Sequence, residues 1–150
     1  VLVRRAATPF LGQPNRWLNP VGVGDFDGDG KPDVALVATP HIGGLLRLYH
    51  LEGDALRLFA EHAGFSTHRI GTTELGLGRV VRNSPRDWLL LPDQSQQSLI
   101  LMEWSSDGWR ELARQALPGR LSSSLYPAGD DHWRFRVGSN RFAEVRVIRN

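Results

Sequence analysis

The sequence predicts an all-β protein built from about three four-stranded units, and three observations carry that prediction. First, apolar or alternating runs of about 5 to 8 residues are separated by clusters of Gly, Pro, Asn, Asp and Ser, which is strand and turn chemistry. Second, the chain lies on itself at a shift of 54: Asp33 to Ala60 superposes on Asp87 to Arg114 without a gap, and a weaker third copy follows about 45 residues later. Third, the two segments that could pass for helices, Ala55 to Ala63 and Trp109 to Ala116, are short and lack a C-terminal cap. Each follows a hairpin signal, Glu52-Gly53-Asp54 or Ser106-Asp107-Gly108, and so reads as an outer strand.

Labelling the strands of each unit a to d, the chain opens on a lone d strand, VLVRRA (residues 1 to 6). The first unit follows as PVGVGDF, DVALVAT, LLRLYHL and ALRLFAE, and the second as LGLGRVV, DWLLLPD, SLILMEW and WRELARQ. The third has SSLYPAG, HWRFRV and AEVRVIR, and ends there on a c strand. Twelve strands in four-stranded units at this period are what β-propeller blades require. The blades fall at about 17–63, 72–117 and 122–150, with strand 1–6 belonging to a neighbouring or closing blade. Propellers typically use about 4 to 8 blades. Two completions are therefore expected: a homodimer in which VLVRRA pairs beside AEVRVIR of a second copy, or upstream blades of the same parent chain. The opening VLVRRAATPF, without Met, favours the second.

Composition removes several classes of function. The 150 residues fit a single domain, and 41% hydrophobic with 23% charged residues is the balance of a globular chain. Runs such as Leu89 to Leu91 and Leu99 to Met102 fall far short of the roughly 20 residues that span a bilayer, so no membrane insertion is expected. Zero Cys removes disulfide scaffolds, thiolate metal sites and cysteine nucleophiles. The 17 Arg and single Lys are scattered among acids at a net charge of only +2, whereas nucleic-acid binders cluster their cations; no nucleic-acid partner is expected.

Chemistry concentrates in one place. Four of the sixteen acidic residues fall within Asp25-Phe26-Asp27-Gly28-Asp29-Gly30-Lys31-Pro32-Asp33. Carboxylates at positions 1, 3 and 5, a turn-forming Gly at 6, a carbonyl at 7 and another acid at 9 make an all-oxygen cage. That is a hard-cation pattern with Ca²⁺ preferred, its ligands Asp25, Asp27, Asp29, Asp33 and the Lys31 carbonyl. An EF-hand would need Glu at position 12, where Leu36 stands in an apolar run, and helices on both sides.

VGVGDFDGDGKPDVALVATP, followed by GGLLRLYHLEGD, resembles an FG-GAP or VCBS repeat, the blade of integrin α-subunit propellers and of many secreted bacterial proteins. The resemblance covers residues 21–54. It implies a propeller blade with Ca²⁺ held in the loop between its first two strands by Asp25, Asp27, Asp29, Lys31 and Asp33, and an extracellular or periplasmic setting. The second unit departs from the pattern: Arg79, Val81 and Asn83 replace the first three ligands and only Asp87 survives. In the third, Gly129-Asp130-Asp131 lacks the spacing, so one site is expected.

No catalytic constellation is found. His41, His50, His62, His68 and His132 show no paired metal spacing and read as surface or strand-edge residues, and Gly64-Phe65-Ser66-Thr67-His68 lacks the final Gly of a nucleophile elbow. Trp17, Trp88, Trp104, Trp109 and Trp133 could stack on sugar rings in a lectin-like pocket, but Trp88 and Trp133 occupy equivalent places in two units, which favours a core role. Arg134, Arg136, Arg141 and Arg146 read as a solvated face. The sequence thus points to a Ca²⁺-stabilised, non-catalytic binding or structural module for protein or glycan ligands. The alternatives are a propeller of a polysaccharide-processing enzyme and a lectin-like propeller.

Overall fold

The computed structural model describes residues 1–8, 17–139 and 141–149. Among them there is no helix, so none is long and apolar enough to cross a membrane. Eleven strands form three antiparallel sheets. The first contains β1 (Leu18–Gly24), β2 (Asp33–Ala38), β3 (Leu45–Glu52) and β4 (Ala55–Ala63) in sequential order. The second, equally sequential, contains β5 (Arg79–Val81), β6 (Trp88–Pro92), β7 (Ser98–Ser105) and β8 (Gly108–Ala116). The third has only β9 (Tyr126–Gly129), β10 (His132–Val137) and β11 (Arg141–Arg146).

Alternation sets the packing. In β2 and β3 the residues Ala35, Val37, Leu46 and Leu48 point to one face, where they meet Leu89, Leu91, Ile100 and Met102 of the second sheet in one core. The other face of the second sheet, with Leu90, Leu99 and Leu101, meets Trp133, Phe135 and Val137 of the third. Period-2 strands expose both faces of the middle sheet to a partner, which is why β6 and β7 read as continuous apolar runs while β10 alternates Trp, Arg, Phe, Arg.

Both segments with some helical character are strands: β4 and β8 pair antiparallel with β3 and β7 across tight turns, with Gly53 at φ 60° and Gly108 at φ 105°. Three strand expectations need correction. Residues 1–6 form no strand within the single chain: Val1 to Arg5 are exposed, and among the described residues the backbone is tied down at Ala7. Ala7 donates to Asp54 O at 3.2 Å and accepts from Leu56 N at 3.0 Å, at the outer edge of the first sheet. A strand needs a partner edge along its length, and among the described residues of the single chain VLVRRA has none beside it. The run Leu75 to Val81 is strand only over its last three residues, because Gly76 O accepts from Leu125 N and so bonds away from β6. The last strand begins earlier than expected and ends at Arg146, after which Val147 N donates to Asp131 O at 2.9 Å. Asn150, the last residue of the expected third unit, lies outside the described residues.

Among the long-range polar ties between the second and third units is one between the segments that lead into β5 and β9. Glu74 accepts from Ser124 N at 2.7 Å and from Ser124 Oγ at 2.6 Å. The Ser124 hydroxyl, followed by its amide, holds the Glu74 carboxyl below the usual Glu range. A depressed folded-state pKa means that the unfolded chain takes up the proton first. Its stabilisation is therefore present in full above the ordinary Glu range and is lost as pH falls through the folded-state value. Glu74→Gln is expected to cost about 1 kcal/mol at neutral pH and little in acid, which urea titrations at the two pH values would measure.

Candidate functional site

The acidic loop joins β1 to β2, and its shape follows from its residues. Gly28 at φ 83° and Gly30 at φ 81° take left-handed turns that a side chain would resist. The Asp25 carboxylate sits inside those turns, accepting from Gly28 N at 2.8 Å and Gly30 N at 2.9 Å. Asp27 accepts from Asp29 N and Asp29 from Lys31 N, an Asx-turn ladder that lines the carboxylates up along one wall. Lys31, whose carbonyl the spacing assigns to the cation, places its ammonium 2.9 Å from Asp29.

Asp33 differs from the rest: only 1% of it is exposed. Its carboxylate accepts from Phe26 N at 3.1 Å and lies 3.0 Å from His50 Nδ1. Burial pushes this carboxyl above the usual Asp range, against the pull of the His50 and Phe26 hydrogen bonds. His50 in turn stacks on Phe59, ring centroids 3.9 Å apart, and its Nε2 is 3.9 Å from Asp27.

The structure thus brings the expected acids together. Asp25, Asp27 and Asp29 each place one carboxylate oxygen within 4.8 Å of the others, and so do Asp27 and Asp33 with a ring nitrogen of His50. Oxygens ligating Ca²⁺ at about 2.3 to 2.6 Å stand at most about 5 Å apart across the ion, so both triads match the span of such a cage. Asp27 belongs to both and is the hinge of the donor set.

His50 was not expected here, and reading it as a plain strand-edge residue needs correction. The signal was available: pairing β2 with β3 outward from their connecting loop puts His50 directly opposite Asp33. His68, also read as a surface residue, is 2% exposed, because it lies beneath Trp17 in the chain that follows β4. The arginines of β10 and β11 do form a solvated face, with Arg134 paired to Glu144. Trp133 is buried, and Trp88 packs partly buried against the same core.

Asp87, just before β6, shows what the second sheet does without the other acids. Its Oδ2 accepts from Asp25 N at 2.9 Å and Arg82 Nη1 at 2.6 Å, and its Oδ1 from Asn83 N at 2.9 Å. The Asp87 amide donates to Asp25 O at 2.8 Å, so Asp87 braces the first turn of the acidic loop from the neighbouring sheet. Three hydrogen bonds to one buried charge imply a cost of about 2 kcal/mol for Asp87→Ala. Chemical denaturation would show it.

Comparison of the chain with protein-family models, curated proteins and solved structures finds no match.

Proposed function

We propose that this chain is a set of calcium-stabilised β-propeller blades of FG-GAP or VCBS type, serving as a non-catalytic binding or structural module for protein or glycan ligands. One observation supports the reading: of four acids within nine residues, Asp25, Asp27 and Asp29 lie within the span of a hard cation, and Asp27 also lies within that span of buried Asp33 and His50. Carboxylates this close repel unless a cation sits among them. Asp25, Asp27, Asp29 and Asp33 would hold Ca²⁺ with the Lys31 carbonyl, and the ion would neutralise them and lock the β1–β2 loop. The role is structural, because a donor set this rich in protein oxygens leaves little coordination for a substrate. Millimolar Ca²⁺ outside a cell suits such a site, which favours an extracellular or periplasmic setting.

Spacing between the sheets supports the blade reading. At β1 and β5 the sheets are so close that a Cβ on Gly22 would stand 2.7 Å from Val80 Cγ2. Between β4 and the β7–β8 hairpin the gap is wide enough to hold indoles: Trp109 Nε1 of β8 donates to Glu61 O at 3.1 Å, and Trp104 of β7 meets Phe59 edge-on at 5.0 Å. Sheets pinched at one end and filled by Trp at the other fan like blades about an axis. The third sheet has three strands where the others have four, which leaves β11 as an edge for a fourth. That strand would come from a second copy in a homodimer or from further blades of the parent chain.

Glycan and protein arrays test the function: the chain is expected to retain ligands without turning over polysaccharides. Hydrolase or lyase activity, lost on changing an acid outside residues 25–33, would establish the enzymatic alternative instead.

A further inference from the structure

We propose that a cavity at the opposite end of the strands from the acidic loop binds the carboxylate of an acidic sugar. The proposal rests on the binding-module reading and names a ligand class for it. The cavity measures about 160 Å³ and lies where the β2–β3 loop, the chain after β4 and the β6–β7 loop meet, with His41, His68, Arg69 and Arg120 in its wall. Among the described lining residues, Arg69 and Arg120 are the only formally charged side chains, and none is a carboxylate. Arg120 Nε donates to Gln96 Oε1 at 3.1 Å, and neither guanidinium has an ion-pair partner among the described residues.

The imidazoles add a second, independent sign of a ligand. Of the four buried side-chain polar atoms without a partner among the described residues, two are His41 Nδ1 and His68 Nδ1. His68 Nε2 lies 3.1 Å from Thr72 O. A carbonyl can only accept, so Nε2 carries the hydrogen, and Nδ1 is left without a partner. Buried polar atoms are rarely left unpaired, and both of these belong to residues that line the cavity. The wall is also held rigid: fully buried Gln96 donates to Ser66 O and Oγ, each at 3.1 Å, and to His68 O at 3.3 Å while it accepts from Arg120. Beside the cavity, Trp17 is 50% exposed, its ring 4.9 Å from that of His68.

A ligand that satisfies all of these groups carries an anionic oxygen pair for the guanidiniums, a hydroxyl for the imidazole and an apolar C–H face for the indole. A uronic acid has the three together. Sulfate would pair with the arginines but offers no hydroxyl donor and no apolar face.

NMR titration of the whole chain with trigalacturonate, a neutral galactose trisaccharide and sulfate tests this. Trigalacturonate is expected to shift resonances of His68 and Trp17 and to bind about tenfold or more tighter than either control. Arg69→Gln and Arg120→Gln should each weaken it about tenfold, the usual worth of one charge-assisted hydrogen bond. Trp17→Ala should also weaken it, and Ca²⁺-dependent melting should be unchanged in all three variants, which shows that they fold. Failure of the folded chain to bind trigalacturonate, equal affinity for either control, or indifference to both arginine changes would overturn the proposal. If the chain binds a protein or neutral glycan and no uronate, this proposal falls while the binding-module reading stands.

Discussion

Ca²⁺ at about 100 times its Kd is expected to raise the melting temperature of this chain by about 5 to 10 °C over chelator, and Asp27→Ala to abolish most of the gain. The magnitude follows from mass action: an ion that binds the folded loop and not the unfolded chain stabilises by about 2.7 kcal/mol at 100 times Kd, and each kcal/mol is worth about 2 to 4 °C at this size. Asp27 is the residue to change because it alone belongs to both donor triads. In the wild type, repulsion among the carboxylates and the cost of burying Asp33 both fall when a cation is present. In Asp27→Ala the repulsion is relieved by the mutation itself, so the variant melts near the wild type in chelator and well below it in Ca²⁺. Differential scanning fluorimetry at matched ionic strength reads both differences.

Gly44→Ala is expected to destabilise the fold by about 3 kcal/mol or more, without touching the acidic loop. A Cβ there would stand 1.7 Å from Phe65 O and 3.1 Å from Val37 Cγ1. The same residue is a junction, since its carbonyl accepts from Gly64 N at 3.0 Å and Phe65 N at 3.3 Å. A methyl group would therefore force apart the start of β3 and the end of β4, backbone against backbone, where no side-chain rotation gives relief. Urea unfolding should show a lowered midpoint with Ca²⁺ affinity retained in the folded fraction. An unchanged midpoint would mean that the two segments are not in contact.

Most of the fold was legible because its strands are short, alternating and punctuated. Apolar runs bounded by Gly, Asp and Pro located eleven strands, and the two helix-like segments could be resolved by their place after hairpin turns. What was not legible depended on partners far away in sequence. VLVRRA has a strand's composition, but strands form only against an edge, and the chain places its anchor, Ala7, at β4 instead. Likewise the acids of the loop were visible from their spacing, whereas His50 joins them only through the β2–β3 register. Asp87 was visible as the surviving acid of the second unit. Its role as a brace, with the Arg82 guanidinium in a cation's place, depends on contact between two sheets.

Calorimetric titration of the metal-free chain with Ca²⁺ tests the central claim most directly. The account predicts saturable binding of one ion per chain, with a Kd on the order of 10⁻⁴ to 10⁻³ M or tighter, absent in Asp27→Ala and weakened in Asp87→Ala. No saturable heat in the wild type, or the same binding curve in Asp27→Ala, would contradict it.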